Sequence, residues 1–159
     1  MSDLPDEHQR TLLAAQGYCE LGMPGEAAGE IDEIPEAWQQ HPSVLEMRLI
    51  VLMQSKRWPA ALASARELIQ IAPAIKMGYI HAAFCLHELG RTDAAREILL
   101  GGPASLREDP VYYYNLACYE CRLGQLENAR ANLEKTFALD KKFREFAKND
   151  PDLIPLRTV

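Results

Sequence analysis

Cys118 and Cys121 stand in Cys-x-x-Cys spacing, which lets a dithiol exchange with a disulfide or two thiolates hold a metal ion. A redox pair of that kind opens a helix after a strand, where the helix N-terminus favours the thiolate. Here the pair falls inside an apolar helical pattern with no strand pattern nearby, so both thiols read as packing residues. His81, Cys85 and His87 lie upstream on another helical stretch, and a composite zinc site with Cys118 and Cys121 is geometrically conceivable. Its spacing matches no finger or ribbon, and His87 only partly shares the face of His81 and Cys85. The expectation is therefore no metal and no cofactor. With Cys19, the four cysteines are too few for a disulfide scaffold and are expected to stay reduced.

Other chemistry is hard to place. The chain carries no Gly-rich phosphate loop, no nucleophile elbow and no helical His pair with Glu. Glu26, Glu30, Glu33 and Glu36 scatter as on a solvated helix face. Lys141, Lys142, Arg144 and Lys148 suit the C-terminal dipole of a helix and the soluble end of an array better than an anionic ligand. No enzyme is expected. The net charge of −6 disfavours a phosphate-binding surface, so no nucleic-acid partner is expected. No apolar run reaches the length that spans a bilayer, and acids stand at the start of the chain where a secretory signal would be basic and then apolar. A cytoplasmic protein with no membrane association is the expectation.

The elements that must position any site follow from a period of 34 residues. Ala27, Ala61, Ala95 and Ala129 keep that spacing, and so do Gly22, Gly90 and Gly124, with Lys56 in the remaining place. Further columns hold Ala15, Leu49, Ala83 and Ala117, and Thr11, Leu45, Tyr79 and Tyr113. Each unit has an apolar helical stretch, a turn suited to positive φ and a second amphipathic stretch around the repeated alanine. Such a unit folds as an antiparallel helical hairpin, and the alanines let its two backbones approach closely. The pattern predicts helices over 6–21, 25–34, 43–55, 58–71, 75–89, 92–100, 110–123 and 126–139. Gly101-Gly102-Pro103 should stop the sixth, and KKFREFAKND should form a capping helix that Asp150-Pro151 ends.

The stretch YYNLACYECRLGQLENARANLEKTFALD resembles a tetratricopeptide repeat, with its Tyr-Asn-Leu-Ala start, Leu-Gly turn, central alanine and Ala-Leu-Asp exit. GYIHAAFCLHELGRTDAAREILL matches through its turn, and VLEMRLIVLMQSKRWPAALASARELIQIAP matches with Lys56 for glycine and Pro73 at the exit. The first unit departs most, because Pro24, Gly25, Gly29 and Pro35 weaken its second helix. The resemblance implies an all-α superhelical solenoid of about four hairpins with a C-terminal capping helix. It would form one domain over 1–159, with repeats near 8–41, 42–75, 76–109 and 110–143 and a cap and tail over 141–159.

In this family a concave groove lined by the first helix of each hairpin binds extended or helical peptides. By register that lining should include Gln16, Glu46, Met47, Ile50, Met53, His81, Phe84, His87, Tyr114, Asn115, Cys118 and Cys121. In one subtype, Lys, Arg and Asn clamp a partner's terminal carboxylates. Asn115 is in place, but Leu12, Glu46, Met77 and His81 stand where the basic partners would be. A soft Met, Phe, Tyr and Cys surface with Glu20 and Glu88 nearby suits an apolar or mildly basic protein segment instead. A non-catalytic interaction module, scaffold or adaptor, is the resulting expectation. Two alternatives stand beside it: a cytoplasmic chaperone of the type III secretion kind, whose repeats IHAAFCLHELGRTDAA resembles, and a homo-oligomer whose groove or end face takes another copy.

Overall fold

A computed structural model describes residues 3–157, and every regular element among them is helical. Ten α-helices run α1 Asp6–Glu20, α2 Pro24–Asp32, α3 Pro42–Gln54, α4 Trp58–Ile71, α5 Lys76–Glu88, α6 Thr92–Leu100, α7 Pro110–Arg122, α8 Leu126–Leu139, α9 Phe143–Asn149 and α10 Ile154–Arg157. Short 3₁₀ turns occupy Glu36–Trp38, Ala104–Glu108 and Pro151–Leu153. The first eight helices fall where the repeat pattern expects them, with ends within two residues of those read from the period, and α1 pairs with α2, α3 with α4 and α7 with α8. The sequence pattern did not foresee α10 or the 3₁₀ turns, which are too short to carry a hydrophobic period.

The turns explain the 34-residue column. Gly22, Gly90 and Gly124 sit at φ +72°, +76° and +78°, and Lys56 adopts the same left-handed backbone at +53°. Each of these residues donates its N–H to the carbonyl three residues back, and the following residue donates to the carbonyl five back. Gly22 and Met23 reach Cys19 and Tyr18, and Lys56 and Arg57 reach Met53 and Leu52. This helix-ending pattern satisfies carbonyls left open by the last turn. The four repeated alanines are fully buried, as close helix approach requires.

The chain packs as two compact units, one up to Cys85 and one from Leu86 onward. In the first, α1 packs on α2 and α3, and α3 packs on α4. Its core gathers Leu4, Ala15, Cys19, Ala27, Ile31, Ile34, Val44 and Val51, with Trp38 and Tyr18 packed at its border. At Gly78, an added Cβ would meet Ile69 Cγ1 at 3.0 Å, so α5 approaches α4 closely enough that a methyl group there would make Ile69 shift by a few tenths of an ångström.

In the second unit α7 is the central element, packed against α6, α8 and the 151–153 turn. Its residues Leu116–Cys121 are all buried. Burial extends to Glu120, whose carboxylate accepts from Asn132 Nδ2 at 2.7 Å and faces Arg96 Nε at 3.6 Å. A buried carboxylate without those partners would be costly. In α9, Phe143 packs its ring 5.1 Å from that of Tyr114, whereas Phe146, expected to help cap the array, is 65% exposed.

Candidate functional site

The first unit leaves an open groove along α1 and α3. One stretch of about 770 Å³ is bordered by Asp3, Leu4, Asp6, Gln9 and His41, and a second of about 520 Å³ by Cys19, Glu20, Glu46, Ile50 and Gln54. Leu12, Gln16, Ser43 and Met47 line both, so the two stretches form one trough. The helical period builds it. Positions 12, 16, 19 and 20 of α1 and 43, 46, 47, 50 and 54 of α3 each fall on one face, and Gln54 Nε2 ties α3 to the Cys19 carbonyl at 3.2 Å. Leu12, Met47 and Ile50 rest on the core with their inner edges and leave their outer edges in the trough.

The electrostatics of this trough are one-sided. Asp3, Asp6, Glu20 and Glu46 border it, and no Lys or Arg among the described residues does. Glu46 is half-buried, pairs with no cation among the described residues, and burial pushes its carboxyl above the ordinary range. Gln16 donates to Glu20 at 3.0 Å across one helical turn.

Of the residues expected to line a groove, Gln16, Glu46, Met47 and Ile50 come together here. Met53 is half-buried on α3 but borders neither stretch. On α5, His81 has a buried Nε2 without a hydrogen-bond partner among the described residues, and burial lowers its pKa. Phe84 is half-buried, edge-on to Trp58 with ring centroids 5.7 Å apart. Asn115 is half-buried on α7.

The remaining four sit under the chain's own residues 150–157. Tyr114 donates its hydroxyl to Asp150 Oδ2 at 2.6 Å, and the Cys118 thiol lies 3.7 Å from the same oxygen. His87 Nε2 meets Asp152 Oδ2 at 2.9 Å, with its Nδ1 2.9 Å from Thr92 Oγ1. Arg122 Nε is 3.7 Å from Asp152 Oδ1, and Leu153 is buried at 2% exposure. Cys121 is buried beside them. Burial first, and then the Asp150 and Asp152 carboxylates, push the Cys118 thiol well up; burial also raises Cys121. Both thiols are buried, and a thiol held protonated is a poor nucleophile. Tyr114 is pushed up by burial and by its bond to Asp150, whereas the bond from His87 holds Asp152 below the ordinary carboxylate range.

Ligand-type atoms of Cys118, Asp150 and Asp152 lie within 4.8 Å of one another. Their pairing was not anticipated, because Asp150-Pro151-Asp152 read only as a helix stop. The overlooked signal was two aspartates flanking a proline, a turn that displays both carboxylates from one short segment. Here those carboxylates already accept from Tyr114, Cys118 and His87, and Asp150 also caps the Asp152 N–H at 2.9 Å.

A family model described as tetratricopeptide repeat matches residues 52–117. Over those residues the chain is similar to tetratricopeptide repeats. Solved tetratricopeptide-like arrays share its fold. MamA 41-end from Desulfovibrio magneticus RS-1 is 19% identical over 91% of this chain and 82% of that one, with a TM-score of 0.75. The MamA RS-1 ArsTM double mutant is 18% identical over 98% and 92%, with a TM-score of 0.75. MamA MSR-1 C2 is 15% identical over 85% and 78%, with a TM-score of 0.69. At these identities the likeness is one of fold. No curated protein matches the sequence. Among the described residues, no helix is long and apolar enough to cross a membrane.

Proposed function

We propose that the chain is a non-catalytic protein-interaction module whose α1–α3 trough receives an apolar segment carrying Lys or Arg. The observation that carries this reading is the trough's composition. Leu12, Met47 and Ile50 form an apolar floor, four carboxylates border it with no Lys or Arg among the described residues, and Glu46 is half-buried with no cation partner among them. A cation placed beside Glu46 would restore the charged form that burial disfavours, and methionine adapts its shape to the segment's side chains. The polar trough walls give orientation while the apolar floor gives area.

The test is selection of short peptides from a random library on the whole chain. Enriched sequences should combine Leu, Ile or Met with Lys or Arg. Met47→Ala with Ile50→Ala should weaken the best of them by about tenfold or more while leaving the helical signal intact. Glu46→Lys should discriminate against the basic ones. Enrichment of acidic sequences, or binding indifferent to all three changes, would place the contact surface elsewhere.

A further inference from the structure

The α7 face of the second unit has a chemistry of its own, separate from the trough. It offers donors: the Tyr114 hydroxyl, the Cys118 thiol, the His87 ring and the Arg122 guanidinium. Residues 150–157 answer with two carboxylates and one buried leucine. The answering segment is a 3₁₀ turn and a four-residue helix, lengths that hold no shape in isolation, so the face orders the segment. A cover built only to shield the array would be apolar. This one has Ile154 half exposed and seats its two aspartates on hydrogen bonds, which selects a sequence more than it adds burial. Nor does a first-helix face in this chain need a cover to fold, since the corresponding face of α1 and α3 stands open.

We propose that the α7 face is a binding site for an acidic segment of the form Asp-x-Asp-Leu, that residues 150–157 are its resident occupant, and that a partner segment of the same chemistry exchanges with them. Exchange uncovers Tyr114, Cys118 and Cys121 and requires no rearrangement of the hairpins. The charge preference is opposite to that of the trough, so the two sites sort their ligands by sign.

The experiment uses the whole chain, a labelled synthetic peptide covering residues 149–157, and a thiol reagent whose attachment at each cysteine is resolved by mass. In the double variant Asp150→Asn with Asp152→Asn, the resident segment leaves the face more often. Cys118 and Cys121 should then react about tenfold faster than in the unaltered chain, with Cys19 unchanged, and the peptide should bind about tenfold tighter. A peptide with both aspartates changed to asparagine should not bind. Unchanged thiol rates would overturn the proposal, and so would faster thiols without peptide binding, which would make the segment a cover and nothing more. If the double variant loses its helical signal, amide exchange in the unaltered chain decides. Residues 150–157 should exchange about a hundredfold faster than α7 if the segment leaves by itself. Equal protection would make it core and refute exchange.

Discussion

Glu46 and Tyr114 occupy one position of the 34-residue register, and so do Ile50 and Cys118, and Met53 and Cys121. In the first unit this face is open and bordered by carboxylates; in the second it bears donors and lies under Asp150, Asp152 and Leu153. The helical scaffold is the same, and the difference arises from a few side chains. Where the first unit has Glu46, the second has Tyr114, which donates to the Asp150 carboxylate. Repeat architecture thus fixes where a face lies and leaves its charge free to vary.

The largest expected break in this contrast is Leu153→Ala, which removes the one fully buried apolar anchor of the covering segment. It should cost about 2 to 5 kcal/mol in the hold on α7. Amide exchange should show the loss concentrated in 150–157 and α7, with α1 to α4 unaffected. Uniform loss through both units would show that the segment supports the whole chain. Next comes Ala129→Leu, which overpacks α8 against α7 and should lower stability by about 1 to 3 kcal/mol. The corresponding Ala61→Leu should do the same between α3 and α4, whereas Phe84→Ala should cost less than either, because Phe84 is only half-buried. An unchanged melting midpoint for Ala129→Leu would count against the register.

Lys56→Gly compares the turns. Lysine in the left-handed region is strained where Gly124 is not, so relief should raise stability by about 0.5 to 1 kcal/mol after the added chain entropy of glycine. Thermal melting of the variant beside Gly124→Lys, which should move the other way, checks it.

The smallest effect is a divergence with pH. Asp152 is held down by His87, with Arg122 contributing, so its stabilising share is present above the unfolded carboxylate range and is lost as pH falls through the lower folded value. Glu46 is pushed up by burial, so its folded state favours the protonated form, and acidification through that raised value stabilises the first unit. Between about pH 5 and pH 3, residues 150–157 should lose protection while α1 and α3 hold theirs or gain. Parallel losses in both units would contradict the opposite signs.

Much of the fold was legible because the period appears in several independent columns. Alanine where helices touch, glycine where φ turns positive and proline where helices end each have one physical reason. Lys56 was legible only as an exception to the glycine column, yet its backbone obeys it. The trough was partly legible: Glu46, Met47 and Ile50 follow from helix phase, but Asp3 and His41 precede their helices and Asp6 only opens α1, so none of the three carries a periodic mark. Least legible was the occupation of the α7 face. Asp150-Pro151-Asp152-Leu153 carries no helical period, and a contact over 36 residues, Tyr114 to Asp150, leaves no trace in local patterning.

The turn at Lys56 has one more consequence. Its hydrogen bonds to Met53 and Leu52 reproduce those at Gly22, Gly90 and Gly124, although the residue that ordinarily permits the shape has been exchanged. A chain assembled from copies of one unit can therefore let its letters drift while geometry is what descends. Where a copy is old enough to have lost its signature residue, kinship among repeats is read more faithfully in bonding pattern than in spelling.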